Sequence, residues 1–424
     1  MKHTVLLIGS GGRECALAWK LHESPHVHKL YIAPGNAGTK NYGENVPLQA
    51  TDIPALCDFA VSKKVSFVIV GPDDPLMLGM VDAFQALEIP VFGPTRSAAQ
   101  LEWSKAFAKE AMQSARVPTA PYRTCNTHDE ALTYLDTQQL PVVIKASGLA
   151  LGKGVYICHS KEEAHAALKE IMIDKLHKDA GNAVVIEAFL VGREISAHCL
   201  TDGHTHIHFP PAQDHKRVGN GNSGKNTGGM GTIAPLPWVD RETEDNIKKH
   251  IVEPTLQYMQ KEGSVFTGCL FPGLMVTPTG TYTLEFNARF GDPETQVYMR
   301  LLESDLIELL YAVATHTLHD VQPRWRAGYA ANIVLASGGY PDAYEKGKLI
   351  TGIDVAERMK DVVVFHAGTT ELEGKHYTNG GRVLGVSATG ATLSEALDTA
   401  YKAVSCISFE GMQYRTDIGK ESLA

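Results

Sequence analysis

The chain has 424 residues and a net charge of −9, which excludes a general nucleic-acid-binding protein because such proteins carry a basic surface. A hydrophobic fraction of 44% and a charged fraction of 21% are typical of a globular protein, and this length predicts about two to four domains. The seven cysteines include no C-x-x-C pair, so we expect reduced thiols rather than disulfides or a zinc site. No apolar stretch approaches the roughly 18 residues that span a membrane, and a signal-peptide cleavage pattern is missing, so we expect a soluble cytoplasmic protein.

The first part of the chain alternates short apolar runs with helical patterns. The runs at 4–9, 30–34, 65–72 and 90–94 have no polar face, which is typical of strands buried on both sides. Strands that alternate with helices predict a parallel sheet covered by helices. We therefore expect an α/β domain over residues 1–102.

A helical stretch at roughly 95–116 leads into the proline-marked sequence VPTAPY, and residues 103–121 are predicted to link two domains. The next segment, 122–192, contains two strand-like runs, LPVVIKA and NAVVIEAFL, with a helical pattern between them. This pattern predicts a small domain of mixed helix and strand.

The remainder of the chain is predicted to form a central segment, 193–325, and a final segment, 326–424. The central segment is predicted to contain a histidine-rich hairpin (194–209) and then a polar loop (218–232), which we expect outside the core. A long helix (about 240–262) and a strand pair (273–290) follow. In the final segment, Thr392 and Glu395 have the spacing of a capping box at the start of a helix.

The sequence GSGGRE (9–14) follows a strand and begins a helix, a setting in which backbone N–H groups bind anions. It resembles the dinucleotide motif G-x-G-x-x-G, but Glu14 replaces the third glycine, and the second strand ends without an acidic residue for a ribose. These departures disfavour a dinucleotide site and favour a phosphate or a small anionic substrate. A simple tight turn remains the alternative.

The stretch TYTLEFNARFGDPETQ (281–296) carries the strongest chemical signal. Alternation along a strand places Glu285, Asn287 and Arg289 on one face. A carboxylate and an amide oxygen are ligands that Mg²⁺ takes beside nucleotide phosphates, and an arginine can neutralise charge on a transferred phosphoryl group. Asp292 is predicted to cap a helix that has Pro293 at its first position. A solvated strand face is the alternative.

The sequence KASGLALGKGV (145–155) lacks the spacing of a P-loop, because only three residues separate Gly148 from Gly152 and no hydroxyl follows Lys153. A lysine at a strand end, here Lys145, can still reach nucleotide phosphates while a glycine-rich loop folds over them. The strand around Glu187 could bind adenine through its backbone and ribose through the Glu187 carboxylate. A buried strand without a binding role is the alternative.

Two further polar groups stand out. In QDHKR, Asp214 could hold a small ammonium group, and Lys216 and Arg217 could hold phosphate, although a solvated turn would look the same. The histidines His204, His206 and His208 alternate along one hairpin strand, with His198 on the partner strand, but the pattern lacks a thiolate pair and zinc is disfavoured.

These pieces together resemble the glycinamide ribonucleotide synthetase family of ATP-grasp enzymes over nearly the whole chain. The resemblance is carried by nine motifs in order: GSGGRE, APGNAGT, GPDDPL, KASGLALGKGV, QDHKRVG, NTGGMG, EFNARFGDPETQ, FHAGT and TNGGRVLGV. It implies an N-terminal parallel α/β (pre-ATP-grasp) domain, a central ATP-grasp core with a mobile lid subdomain at 122–192, and a small C-terminal α+β domain, an α/β and α+β multidomain fold.

The resemblance also implies a reaction. ATP phosphorylates glycine to glycyl phosphate, and the amine of 5-phosphoribosylamine attacks it to give glycinamide ribonucleotide, ADP and phosphate. A lid that excludes water suits this chemistry because an acyl phosphate is labile in water. The expected partners are small molecules: glycine, 5-phosphoribosylamine and ATP. We expect a monomer that binds neither nucleic acid nor a membrane.

The family's functional residues are carried over by motif. Glu285 and Asn287 would ligate Mg²⁺ or Mn²⁺, and the catalytic residues would be Arg289, Asp214 and Lys145. ATP would be bound by Lys105, Lys145, Gly152, Glu187, Phe189, Leu190 and Glu194. The other substrates would be bound by Gly11, Gly12, Arg13, Pro72, Asp73, Asp214, Lys216, Arg289 and Arg382.

The chain departs from the family pattern at three positions, where Cys15 replaces a histidine, Asp73 a glutamate and Ser147 an aspartate. Cys15 follows the predicted substrate loop, and a thiol makes a weaker hydrogen bond than an imidazole, so we expect an effect on substrate affinity. Two alternatives remain open: an ATP-grasp ligase that uses bicarbonate, of the purine or biotin type, and a nucleotide-binding protein without catalysis.

Overall fold

The computed structural model describes residues 2–148, 154–176 and 178–423. The first segment contains β1 (His3–Gly9), α1 (Gly12–His22), β2 (Val27–Pro34), β3 (Glu44–Asn45), α2 (Ile53–Ser62), β4 (Phe67–Val70), α3 (Asp73–Met77), α4 (Met80–Ala86) and β5 (Val91–Phe92). Its five strands form one parallel sheet in the order β3-β2-β1-β4-β5. The predicted parallel α/β domain is confirmed, and the two-residue strand β3 is an addition to it.

Two helices connect this sheet to the rest of the chain, α5 (Gln100–Trp103) and α6 (Lys105–Ser114). Helix α6 begins after Ser104, whose hydroxyl accepts a hydrogen bond of 3.3 Å from the N–H of Phe107. Lys105 is therefore the first residue of α6, and Lys109 lies one turn later on the same side.

The second segment contains β6 (Tyr122–Cys125), α7 (His128–Leu135), β7 (Val142–Ala146), β8 (Val155–Cys158), α8 (Lys161–Leu168) and β9 (Val184–Ala188). Its strands form an antiparallel sheet in the order β6-β9-β7-β8. The apolar side chains of this sheet pack with those of its helices into a core cluster of their own. A separate core is what a domain needs if it is to move as one body.

The third segment contains β10 (Arg193–Ser196), β11 (Cys199–Thr201), β12 (His206–His208), β13 (Gln213–Asp214), β14 (Arg217–Gly219), β15 (Ser223–Asn226), β16 (Gly231–Ala234), α9 (Arg241–Ile247), α10 (Glu253–Lys261), β17 (Gly268–Thr277), β18 (Gly280–Asn287), α11 (Glu294–Leu301) and α12 (Leu306–Ala314). The long strand β17 pairs with β10, β11 and β18, and β12 pairs with β11. In this second antiparallel sheet, the polar side chains at the end of β18 lie next to the second segment.

The last segment contains β19 (Tyr329–Ala336), β20 (Leu349–Ile350), α13 (Ile353–Glu357), β21 (Val362–His366), β22 (Thr369–Leu372), β23 (Lys375–Thr378), β24 (Arg382–Gly390) and α14 (Leu393–Val404). Strands β13 and β16 of the third segment pair into the same sheet as β19, β24 and β21. Thr392 and Glu395 form the predicted capping box of α14.

Two predictions about local structure are wrong. The polar stretch 218–232 begins in the exposed hairpin β14–β15 but ends in the core, because Met230 is fully buried and β16 pairs with β19. Asp292 does not cap α11, which begins after Pro293; its carboxylate accepts a hydrogen bond of 3.3 Å from the N–H of Arg13 in α1.

Candidate active site

The polar row predicted on β18 is present. Glu285, Asn287 and Arg289 are partly exposed, and the residues between them are buried. Asn287 Nδ2 donates to the carbonyl oxygen of Phe271 on β17 at 3.3 Å, and its Oδ1 accepts from Arg289 Nη2 at 3.1 Å. The amide oxygen keeps a second lone pair. A carboxylate and an amide oxygen on one face form a donor set that fits a hard divalent cation.

Cations surround Glu285. The nearest is Lys216, whose Nζ lies 3.7 Å from Oε1. Burial raises the pKa of Glu285, but the charges of Lys216, Lys145, Lys105 and Arg289 outweigh it and lower the pKa to about 2. The carboxylate is therefore ionised at neutral pH and available as a ligand.

The carboxylate of Glu187 on β9 is shared by two lysines. Lys145 on β7 and Lys109 on α6 each place Nζ 2.5 Å from one of its oxygens. Lys145 Nζ also donates to the carbonyl oxygen of Leu284 on β18 at 3.0 Å, and Lys109 Nζ to Thr119 Oγ1 at 2.6 Å. Lys145 thus joins the second segment to the polar row, and Glu187 sets its position.

Arg289 is held by a carboxylate that the sequence did not reveal. Its Nη2 lies 2.7 Å from Oε1 of Glu102 on α5, while Glu102 Oε2 accepts a hydrogen bond of 2.7 Å from the N–H of Ala288. Burial raises the pKa of Glu102 to about 6, against the opposing charge of Arg289. The guanidinium is consequently fixed at the end of β18.

Asp214 and Glu294 form a second acidic group beside this row. Burial and then the charge of Glu294 raise the pKa of Asp214, and burial raises that of Glu294, which accepts a hydrogen bond of 2.7 Å from Ser196 Oγ. Within the described ranges, the buried Oδ1 of Asp214 has no hydrogen-bond partner. A Cβ on Gly229, whose φ is +115°, would lie 2.5 Å from that oxygen, so the loop NTGGMG requires glycine there.

Asp292 joins three segments of the chain. Besides the N–H of Arg13, its carboxylate accepts a hydrogen bond of 2.9 Å from Gln296 and lies 3.5 Å from Nη1 of Arg382. The same Nη1 donates to the carbonyl oxygens of Asp292 and Gly228, both at 2.7 Å. Burial raises the pKa of Asp292, but Arg382 and Arg13 outweigh it and lower the pKa.

The GSGGRE loop lies against this junction. Glu14 Oε2 accepts a hydrogen bond of 2.6 Å from the N–H of Gly11, and Glu14 Oε1 lies 2.5 Å from Nε of Arg13. Carboxylates of the protein itself, those of Glu14 and Asp292, therefore already accept hydrogen bonds from backbone N–H groups of the loop predicted to bind an anion. A cavity of about 230 Å³ adjoins it, and its lining includes Gly11, Arg13, Pro72, Asp74 and Asp292.

The remaining predicted residues are placed as follows. Glu194 pairs with Lys216 at 3.1 Å, and Phe189 and Leu190 are half-buried just after β9. Gly12 packs against the side chain of Gln296, and Asp73 begins α3. Gly152 lies outside the described residues.

Cys15 does not line the predicted substrate loop with an exposed thiol, and its effect on substrate affinity stays a prediction. Cys15 is fully buried in α1 and belongs to a core cluster that the first segment shares with the third and last segments. Burial raises the pKa of its thiol to about 12. Cys15 therefore acts as a small apolar core residue.

Sequence reasoning missed three residues of this cluster: Glu102, Lys109 and Glu294. The spacing of four between Lys105 and Lys109 at a helix start was a usable signal. Glu294 lies inside the motif GDPETQ, but the motif alone does not indicate a role for its carboxylate. Glu102 gave no signal, because its partner Arg289 is distant in sequence.

The four-stranded antiparallel sheet meets the sheet of β17 and β18 at a cluster of lysines and carboxylates, where Lys145 Nζ donates to the carbonyl oxygen of Leu284. This arrangement defines an enzyme of the ATP-grasp class. Models of the N, ATP-grasp (A) and C domains of phosphoribosylglycinamide synthetase match residues 3–102, 103–295 and 330–421. The chain belongs to the phosphoribosylglycinamide synthetase family.

Similar proteins agree with this assignment. A phosphoribosylamine–glycine ligase of Vibrio parahaemolyticus is 45% identical, covering 99% of this chain and 98% of its own. The crystal structure of the phosphoribosylamine–glycine ligase of Thermotoga maritima has a TM-score of 0.85 at 36% identity, covering 98% of this chain and 99% of that one. A biotin carboxylase domain from Hydrogenobacter thermophilus, with MgADP and bicarbonate, shares the fold alone, at a TM-score of 0.75 and 16% identity over 97% of this chain and 92% of that one.

None of the helices in the described part of the chain combines the length and the apolar character needed to cross a membrane.

Proposed function

We propose that this chain ligates glycine to 5-phosphoribosylamine with ATP, giving glycinamide ribonucleotide, ADP and phosphate in purine biosynthesis. The observation that carries the proposal is the 45% identity to a phosphoribosylamine–glycine ligase over 99% of the chain. The bicarbonate-using alternative shares only the fold, at 16% identity. A protein without catalysis is disfavoured because Glu285, Asn287 and Arg289 are retained as one row.

Glu285 and Asn287 are the residues that would hold Mg²⁺ or Mn²⁺, because they offer two hard oxygen ligands on one face. When bound, such an ion neutralises charge on the phosphates of ATP. The low pKa of Glu285, about 2, keeps its carboxylate ready for the ion across the physiological range.

We assign ATP to the space between the two antiparallel sheets. Lys145 and Lys105 face Glu285 and would contact the phosphates, and a role of Gly152 in binding ATP stays a prediction from its motif. Phe189, Leu190 and Glu194 border the space on the side of β9 and β10 and would hold adenosine. Within the described residues, the N–H of Leu190 has no backbone partner, which leaves it free for an adenine edge. Contact of Glu187 with adenosine stays a prediction, since two lysines already occupy its carboxylate.

Glycine is assigned to the space between Asp214 and Arg289. The buried Oδ1 of Asp214 lacks a hydrogen-bond partner among the described residues, and an ammonium group would supply one. Arg289 would then face the carboxylate of glycine and its phosphorylated form.

Phosphoribosylamine is assigned to the neighbourhood of the 230 Å³ cavity. Gly11, Arg13 and Pro72 line it, Gly12 and Asp73 are adjacent in sequence, and Arg382 lies 3.5 Å from Asp292 at its border. Lys216 pairs with Glu194 and Glu285, and its contact with phosphoribosylamine stays a prediction.

The reaction then needs two displacements. An oxygen of the glycine carboxylate attacks the γ-phosphorus of ATP and ADP leaves. The amine of phosphoribosylamine attacks the acyl carbon of glycyl phosphate, the C–O bond to phosphate breaks, and the amine loses a proton. The chain positions the substrates and neutralises their negative charge, and it supplies no nucleophile of its own. Closure of the lid over the site is therefore needed to keep water away from glycyl phosphate.

The direct test is ADP release by the purified enzyme with glycine and freshly generated phosphoribosylamine, each omitted in turn. We expect turnover only when both are present. Turnover that depends on bicarbonate and not on glycine contradicts the proposal. Cell fractionation and sedimentation test two further parts of the proposal, a cytoplasmic location and a monomer.

A further inference from the structure

The hairpin β11–β12 places a cysteine and two histidines on one face. Cys199 pairs directly with His208, and His206 lies two residues before it on the same strand. One donor atom from each of the three side chains lies within 4.8 Å of the other two. His198 is not part of this group, because its Nε2 accepts from the N–H of Gly291 at 3.1 Å and its Nδ1 lies 3.0 Å from the hydroxyl of Tyr298.

The separation of the two imidazoles fits a shared ion. His206 Nδ1 and His208 Nε2 are 3.2 Å apart. Two nitrogens bound at about 2.0–2.1 Å to one tetrahedral zinc stand about 3.3 Å apart. These two nitrogens form a hydrogen bond with each other, and a bound ion would take the place of the proton between them.

A carboxylate lies near the ring nitrogen of His206 that does not face His208. His206 Nε2 lies 3.5 Å from Oε1 of Glu253, the first residue of α10. Metal-binding histidines commonly donate their second ring N–H to a carboxylate, which fixes the tautomer and turns the other nitrogen towards the ion. With Nε2 protonated, Nδ1 of His206 presents its lone pair to His208 and Cys199.

We propose that Cys199, His206 and His208 form a binding site for Zn²⁺, separate from the cation site of Glu285 and Asn287. A thiolate and two imidazoles select zinc over magnesium, which prefers oxygen ligands. Cys199 is fully buried whereas both histidines are partly exposed, so the open side of the hairpin leaves a fourth position for water.

The protonation of these groups is compatible with binding. Burial lowers the pKa of both histidines, that of His208 to about 4, so both rings are neutral at pH 7. Burial raises the pKa of Cys199, so Zn²⁺ displaces the thiol proton when it binds. Lys248 contributes a nearby positive charge, which limits the affinity.

The site explains a sequence feature that ligation of glycine does not use. The proposal does not depend on the proposed function, because none of its residues lies in the cluster around Glu285. Bound zinc would link the two strands of the hairpin and, through Glu253, helix α10.

Cobalt is the appropriate first probe, since a thiolate ligand gives Co²⁺ a charge-transfer absorption that oxygen ligands do not. The reduced full-length protein is titrated with Co²⁺ and then with competing Zn²⁺. We expect one equivalent of Co²⁺ to produce this band and Zn²⁺ to remove it. Glu285→Gln should keep the band, which separates this site from the catalytic one.

Three further variants decide the assignment. Cys199→Ala should abolish the band, His206→Gln should weaken Co²⁺ binding about tenfold or more, and His204→Gln, on the same hairpin outside the group, should bind as wild type. Zn²⁺ should raise the Tm of wild type and His204→Gln but not of His206→Gln, which serves if the buried Cys199 variant fails to fold. Absence of the band in folded wild type, or equal binding by His206→Gln, overturns the proposal.

Discussion

Glu102 and Arg289 are joined by an ion pair of 2.7 Å that connects helix α5 to the end of strand β18. Both side chains are largely withdrawn from water, with exposed fractions of 8% and 17%. The Glu102 carboxylate also accepts a hydrogen bond from the N–H of Ala288. It therefore holds both the backbone at the end of β18 and the guanidinium of Arg289. The arginine assigned to the glycine carboxylate is therefore positioned by a residue from outside its own sheet.

Replacing Glu102 by Gln should destabilise the protein by about 3 kcal/mol, because breaking a buried pair leaves a charge without compensation. Urea unfolding measures the change. Glu371→Gln removes the partner of Lys40 in an exposed ion pair and should change stability by less than about 1 kcal/mol. Equal effects of the two substitutions would show that the Arg289 pair is no stronger than a surface pair.

Glu285→Gln should lower glycine-dependent ADP release by about 10²-fold or more, because it removes a proposed ligand and the charge that balances four cations. The matched control is again Glu371→Gln, which should turn over at the wild-type rate. A variant that keeps wild-type turnover at saturating Mg²⁺ contradicts the ligand assignment.

The same carboxylate predicts a pH dependence of stability. The pKa of Glu285 is lowered to about 2, so its stabilising contribution is fully present above the unfolded value of about 4.5 and is lost as pH falls through about 2. The difference in unfolding free energy between wild type and Glu285→Gln should be constant above about pH 5 and shrink below it. A difference that grows on acidification would mean that the surrounding cations do not stabilise this group.

Lys145→Met should raise the KM for ATP by about tenfold, since it removes a cation placed between the two sheets at the proposed phosphate site. Lys109→Met removes the other partner of Glu187 and is the control: we expect lower stability with little change in KM. Steady-state kinetics at varied ATP and thermal unfolding separate the two effects. A shared rise in KM would assign both lysines to the same structural role.

Glycine binding should strengthen as pH rises. Burial and Glu294 raise the pKa of Asp214, and only its ionised form pairs well with an ammonium group. The KM for glycine should therefore keep falling in wild type as pH rises above the range in which an ordinary aspartate ionises, and Asp214→Asn should have a higher KM that no longer depends on pH in this way. The kinetics are measured at saturating ATP and phosphoribosylamine, and an unchanged slope in the variant assigns the titration to another group.

The sequence predicted the parts of the fold whose signals are local. Apolar runs located the strands of the first sheet, and the alternation in EFNAR placed Glu285, Asn287 and Arg289 on one face. Contacts between distant segments could not be predicted this way: Glu102 with Arg289, Lys109 with Glu187, and Asp292 with the N–H of Arg13. Cys15 illustrates the same limit, because its position next to a loop in sequence says nothing about the direction of its side chain on α1.

The sheet shared by the third and last segments has a consequence for how the chain can be divided. Gly231 to Ala234 of β16 pair with Ile333 to Ala330 of β19, so the central and C-terminal parts meet through backbone hydrogen bonds within one sheet. Cutting the chain between these strands would expose two unpaired edges, which template aggregation. The C-terminal part is therefore not a detachable module, and exchanging it between relatives requires that β13 and β16 be exchanged with it.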